Sequence, residues 1–171
     1  MTNYKEIVTK AIIGKSKKIS RNEYKIIPEE HPNTVLGCWI INHYFKGTNN
    51  NGNVIVDGSF DINVWYSYDN DTKTKVINQT FLYQDMMPVK IKESSSIDNN
   101  SEIIVRSLRQ PTVTEVNIVD GQIVMTVEKE LGVEIVGDTK LKISVEDLED
   151  DYELIEDNSD LEEVKENFLE S

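Results

Sequence analysis

The sequence predicts an all-β protein, a two-layer β-sandwich or flattened barrel with an acidic, largely disordered C-terminal tail, and three observations lead there. Residues 1–145 contain 35 Ile plus Val against five Leu and a single alanine, Ala11. That preference for β-branched over unbranched apolar residues favours pleated sheet over helix. Hydrophobicity alternates with period two in the middle of the chain, as it does on a half-buried strand. Charge, finally, is segregated: of a net −13, residues 146–171 carry −12, with 13 Asp or Glu against Lys165, which leaves −1 for residues 1–145. The division expected is therefore a β-domain over 1–145, long enough to bury a two-layer core without metals or disulfides, and a tail over 146–171.

The elements follow in order. Residues 7–13 are rich in β-branched side chains and suit a strand, although Tyr4, Ile7, Val8, Ala11 and Ile12 would also line one face of a helix; a strand is the reading adopted. Residues 35–45 are apolar on both parities, with Val35, Trp39 and Ile41 on one side and Leu36, Cys38 and Ile40 on the other, the pattern of a central strand buried on both faces. The polar stretch 48–52 breaks it. Over 54–68 the even positions Val54, Val56, Phe60, Ile62, Val64, Tyr66 and Tyr68 are apolar and Asp57, Asp61, Asn63 and Ser67 occupy odd positions. This is a long half-exposed strand, with Gly58 a candidate bulge. Asp69-Asn70-Asp71 reads as a turn into a strand over 73–83, and 94–101 as a polar loop. Asp120-Gly121 between alternating apolar runs is a strong hairpin signal joining 112–119 to 122–136, with a short last strand over 140–145. Beyond it, 146–157 is a self-repelling acidic run, and Ser159-x-x-Glu162 is a capping box before Leu161, Val164 and Phe168, where a short helix is available on a partner.

The charge distribution disfavours binding to nucleic acid or to an anionic membrane surface. No basic-then-apolar leader is expected at the N-terminus, and no direct membrane insertion, since the longest apolar-plus-Gly run, 35–41, has seven residues. Cys38 is alone, so no internal disulfide and no thiol-only zinc site is expected. Gly14-Lys15-Ser16 matches the end of a phosphate-binding loop, but Thr9 stands where its first glycine belongs, and a strand end or exposed turn is the better reading. His31 and His43 lack partners at metal-ligand spacing; His43, within an apolar strand, reads as a hydrogen-bonded core or edge residue, and five residues of strand separate it from Cys38 and reverse its face. Lys73 stands where the Asp69-Asn70-Asp71 stretch would need a third calcium ligand, so a hairpin turn is expected. Of the aromatics Trp39, Tyr44, Trp65, Tyr66 and Tyr68, most lie at core-facing parity. Trp65, at odd parity between Asn63 and Ser67, is the exception and is expected to form a contact surface. No cofactor and no enzymatic activity is expected, for want of a converging nucleophile, base or metal set.

Read together, Tyr4-Lys-Glu-Ile-Val-Thr-Lys-Ala11, Leu36-Gly-Cys-Trp-Ile-Ile-Asn-His43, and Asp61-Ile-Asn-Val-Trp-Tyr-Ser-Tyr68 followed by Thr72-Lys-Thr74 resemble the outer spore coat morphogenetic protein CotE family of endospore-forming bacteria. Gln110-Pro111, Glu134-Ile-Val-Gly-Asp-Thr-Lys140 and the acidic C-terminus fall in the family's order, so the resemblance covers essentially the whole chain. Cys38, where a small residue is expected after Gly37, and a shorter, less unbroken acidic tail are departures. Residues 54–89 are also similar to a β-rich domain of other spore-envelope proteins. The resemblance implies a non-enzymatic scaffold, made in the mother-cell cytoplasm and assembled into the spore coat, that multimerises around the forespore and recruits outer coat proteins. It associates the N-terminal region with self-assembly and the C-terminal part with docking of other spore coat proteins. Tyr4, Ile7 and Val8, joined by Trp65 on its own parity argument, are thus the self-assembly residues expected here. The docking residues expected are Asp147, Glu149, Asp150, Asp151, Glu153, Glu162 and Glu163. The alternative class is a carbohydrate- or peptidoglycan-precursor-binding β-module, which would need exposed aromatics on one face.

Overall fold

The computed structural model describes residues 3–50, 52–91, 97–98 and 100–145. The strands are β1 (Asn3–Ile26), β2 (Pro32–Asn50), β3 (Asn53–Tyr68), β4 (Lys73–Met87), the two-residue β5 (Lys90–Ile91), β6 (Glu102–Val119) and β7 (Gln122–Val145). They form two sheets, β5-β1-β7-β6 and β2-β3-β4, the second an antiparallel meander. The N-terminal segment is a strand, as its β-branched composition predicts, and it runs through Gly14-Lys15-Ser16 without stopping. Gly14 and Lys15 pair with Ile91 and Lys90, so these residues lie mid-strand rather than at a strand end or turn. Asp69, Asn70 and Asp71 all adopt left-handed backbone conformations, with φ of 53°, 54° and 62°, in the β3–β4 turn. Asp120 and Gly121, with φ of 50° and 75°, make the turn of the β6–β7 hairpin. The expected last strand at 140–145 is the continuation of β7.

Two compact units are distinguished among the described residues: 3–7 with 142–145, and Val8–Leu141. In the first, the Lys142 ammonium stands 4.9 Å from the centre of the Tyr4 ring. The second holds the core, in two clusters. One gathers Ile26 of β1, Phe60, Ile62, Val64 and Tyr66 of β3, and Ile123, Met125 and Val127 of β7. The other gathers Ile13, Val54, Val56, Met87, Leu131, Val133 and Ile135. The even positions of β3 thus face the odd positions of β7, and this period-two match is what stacks one sheet on the other.

Between the clusters the core turns polar. Lys129 shares the buried parity of Val127 and Leu131 yet is charged, and it is 2% exposed. Its ammonium lies 3.0 Å from Asp85 Oδ2, on β4, and 4.1 Å from the centre of the Tyr83 ring. Ser20 donates to Asp85 Oδ1 at 3.5 Å, and Lys18 approaches the same oxygen at 3.6 Å. The Tyr83 hydroxyl is 2.7 Å from His43 Nε2 on β2. Gly58 makes room for this layer, because a Cβ there would stand 2.2 Å from Tyr83 Cζ. Its role is close packing, not the bulge expected of it: β3 pairs with β4 in unbroken register, and in the β2–β3 ladder Gly58 pairs directly with Phe45, away from the register shifts at Pro32/Thr34, Val35/Gly37 and Ile41/Tyr44.

Removing one member of a buried ion pair strands the other charge, at a cost of about 3–5 kcal/mol. Lys129→Met should therefore lower stability by about that amount in denaturant titrations, and adding Asp85→Leu should recover most of the loss. His43 supplies a pH test. Burial holds its imidazole below the usual 6.5, opposed by the Gln110 contact and reinforced by the Lys129 charge. The unfolded chain then binds this proton more readily than the folded one, so stability is complete above pH 6.5 and falls as pH drops below it. Thermal midpoints should decline from pH 6.5 toward 5 in the parent protein and less steeply in His43→Gln.

Candidate functional site

The outer face of the three-stranded sheet is the surface with the most chemistry to offer a partner. Odd residues of β3 form its centre, and each is flanked by one residue of β2 and one of β4. The rows are Gly37–Trp65–Val76, Trp39–Asn63–Asn78, Ile41–Asp61–Thr80, Tyr44–Ser59–Leu82 and Lys46–Asp57–Gln84. Apart from Trp65 the centre is polar; the β2 margin is largely apolar, and the β4 margin mixes Val76 and Leu82 with Asn78, Thr80 and Gln84. Trp39 and Trp65 are 44% and 43% exposed, Tyr44 63% and Leu82 81%; Ile41, Val76 and Met86 are exposed as well.

Trp65 is on the exposed side, as its parity requires. Trp39 and Tyr44 are not core residues, contrary to the sequence reading, and β2 is an edge strand rather than a central one buried on both faces. The physical reason is that apolar residues on both parities have two destinations here. Val35, Cys38 and Ile40 pack on the core, while Trp39 and Ile41 face outward. Between Ile41 and Tyr44 the ladder shifts register, with Asn42 at a φ of 56°. This bulge turns His43 inward to Tyr83 and leaves Tyr44 outward. Gly37 lies beside both indoles, and a Cβ on it would meet the Trp39 ring at 3.5 Å and the Trp65 ring at 3.8 Å, ordinary contact distances.

The polar centre is largely satisfied within the sheet. Asp61 accepts hydrogen bonds from Asn42 Nδ2 at 2.9 Å and Thr80 Oγ1 at 2.6 Å, which hold its carboxyl below the usual carboxylate range. Asn78 donates to Asn63 at 2.9 Å and Gln84 to Asp57 at 2.8 Å. Asn63 Nδ2, buried, has no acceptor. Sugar platforms place free donors and acceptors beside their aromatic rings; here the central carboxylates and amides answer one another apart from Asn63 Nδ2, which is itself buried.

Elsewhere, the chemistry is sparse. Among the described residues no group of three or more His, Cys, Asp or Glu is placed to hold a metal ion. Burial pushes the Cys38 thiol up to about 11, which makes it a poor nucleophile. A groove of about 430 Å³ on the outer face of the four-stranded sheet is lined by Lys15, Lys17, Arg106, Leu108, Gly132 and Glu134, and Lys15 there is paired with Glu134 at 3.7 Å. Of the other expected self-assembly residues, Tyr4, Ile7 and Val8 are exposed on β1. Val8 thus lies on the four-stranded sheet and Trp65 on the three-stranded one. The expected docking residues Asp147, Glu149, Asp150, Asp151, Glu153, Glu162 and Glu163, the capping box and residues 94–96 and 99 of the 94–101 loop lie outside the described residues.

Compared with known proteins, the chain matches the model of the family described as outer spore coat protein E (CotE) over residues 3–171. Among curated proteins and among solved structures, nothing matches.

Exposed residues that serve no core contact should be removable without loss of fold. Leu82→Ser and Tyr44→Ser are expected to shift unfolding free energy by no more than about 0.5 kcal/mol, against about 3–5 kcal/mol for a buried aromatic such as Phe60→Ala, as read by chemical denaturation.

Proposed function

The chain belongs to the outer spore coat protein E (CotE) family, and from that premise we propose that it is a non-enzymatic scaffold that multimerises and recruits outer coat proteins around the forespore. The observation that carries this reading is the outer face of the three-stranded sheet. Its exposed large apolar residues, Trp65 on the central strand and the others on the two margins, share one surface, and the largest apolar patch on an ordinary monomer is about 300–600 Å². A stable contact buries about 800 Å² per partner, and two indoles, a phenol and several aliphatic side chains on one sheet face are of that order.

Self-association then runs through Trp65 and its face, with Tyr4, Ile7 and Val8 as a second contact on β1. Two distinct contacts are what a layer requires, because a single self-complementary face closes at a dimer. The near-neutral charge of residues 1–145 removes long-range repulsion between bodies. The tail carries the other half of the proposal. Its −12 over 26 residues is the largest electrostatic feature of the sequence, suited to basic segments of other coat proteins, and repetition of the body multiplies tail copies so that weak contacts become avid. Synthesis in the mother-cell cytoplasm belongs to the same proposal. A glycan-binding β-module is the weaker reading, since the polar groups beside the exposed tryptophans are either paired within the sheet or, as with Asn63 Nδ2, buried.

Trp65→Ser is expected to reduce multimer size in light-scattering chromatography while moving the thermal midpoint little. If the variant unfolds instead, Trp65 serves the fold and the contact assignment fails. Deleting residues 146–171 should leave the multimer intact and abolish capture of basic coat proteins, and capture by the full chain should weaken steeply with salt, because exposed charges are screened beyond about 8 Å at 0.15 M. Unchanged capture by the truncated multimer would move docking to the body.

A further inference from the structure

We propose that β4 pairs edge to edge, antiparallel, with β4 of a second copy, joining two three-stranded sheets into one of six strands. The inference rests on the multimerisation reading and specifies one of its contacts. β4 is the terminal strand of its sheet, and among the described residues no strand pairs with its outer side. It is also regular. Residues 73–87 pair with residues 54–68 without a single register shift, whereas the edge strands β2 and β6 each carry three. Bulges, prolines and charges are how natural sheets protect their edges. β4 has no bulge and no proline, and its charges lie only at its ends.

Between those ends, residues 76–84 read Val-Ile-Asn-Gln-Thr-Phe-Leu-Tyr-Gln. These nine residues include no charge, no proline and no glycine, the composition of strands that pair with copies of themselves. Lys73 and Lys75 precede them. Asp85 follows, and Lys18 reaches the Met86 carbonyl at 3.4 Å, closing that end of the edge. The open length is therefore 76–84, and its midpoint is Thr80.

Charge selects the orientation. An antiparallel pair centred on Thr80 keeps the lysines of the two copies apart and makes no demand on Asp85, whose carboxylate is buried against Lys129. A parallel pair would set Lys73 against Lys73 and Lys75 against Lys75, and like charges directly opposite are destabilising. In the antiparallel register Thr80 faces its own equivalent, while Asn78 faces Leu82 and Val76 faces Gln84. The 81%-exposed Leu82 thereby gains a cross-strand neighbour, and the apolar margins of the two outer faces become one surface.

Cysteine placement tests this in the full-length chain. Directly opposed antiparallel residues have Cα atoms about 4.5–5.5 Å apart, within disulfide reach, whereas a residue two positions from the dyad stands more than about 10 Å from its equivalent. Under mild oxidation Thr80→Cys should cross-link into dimers at least tenfold faster than Asn78→Cys, with the disulfide mapped to position 80 by peptide mass. The half-buried Cys38 is common to both variants and cancels. In the unaltered protein, amide exchange over 76–84 should slow as concentration rises. Multimers in which position 80 cross-links no faster than position 78, with no such slowing, overturn the β4 contact and leave multimerisation standing. A protein that stays monomeric throughout overturns both.

Discussion

The buried ion pair between Lys129 and Asp85 is the constraint to which the two sheets are fitted. It joins β7 of one sheet to β4 of the other across the gap between the two apolar clusters. The Tyr83 ring that covers the ammonium demands Gly58 beneath it and reaches His43 beyond, so β2, β3, β4 and β7 are all positioned by one polar layer. A two-residue slip of β7 would preserve its alternation yet carry Lys129 to the place now held by Val127 or Leu131, inside an apolar cluster and away from Asp85. The cost of an unpaired buried charge forbids that slip, and this is how a polar group in a core specifies register when apolar alternation by itself would tolerate several.

That fixed register determines what the surface can do. Asp85 ties the C-terminal end of β4 to the opposite sheet, and β4 and β3 stay in step over fifteen pairs. The strand is consequently free of bulges along its open edge, while the bulged β2 carries the aromatic margin. Core formation engages the even residues of β3 and leaves the odd ones outward, a hydrogen-bonded polar centre broken by Trp65, with Trp39, Ile41 and Tyr44 on one border and Val76 and Leu82 on the other. Rigid placement of such borders suits repeated contact between identical bodies, because each copy presents the same surface at little ordering cost.

Much of the fold was legible because it rests on period-two alternation and on turn chemistry. The even apolar positions from Val54 to Tyr68 and the Asp120-Gly121 turn led directly to β3 and the β6–β7 hairpin. The same rule foresaw Trp65 on the outside. It failed for Trp39, Ile41 and Tyr44, because a doubly apolar strand has the same sequence whether its second face meets a core or a partner, and a bulge at Asn42 inverts parity midway. Gly58 was misread because a glycine that admits a tyrosine ring looks, in sequence, like one that admits a bulge. The Lys129–Asp85 layer was missed although one signal was present: Lys129 breaks the buried parity set by Val127 and Leu131. Its partner is forty-four residues away in sequence, and only the topology brings the two together.

If the body carries assembly through apolar face and strand edge, association must be insensitive to salt, and this separates it from anything the acidic tail does. Sedimentation velocity of the intact protein over a wide concentration range, at low salt and at 1 M, where the screening length is about 3 Å, reads this directly. The account predicts species that grow with concentration and persist undiminished at high salt. A protein that sediments as a monomer at every concentration, or assemblies that dissolve as salt is raised, would contradict it.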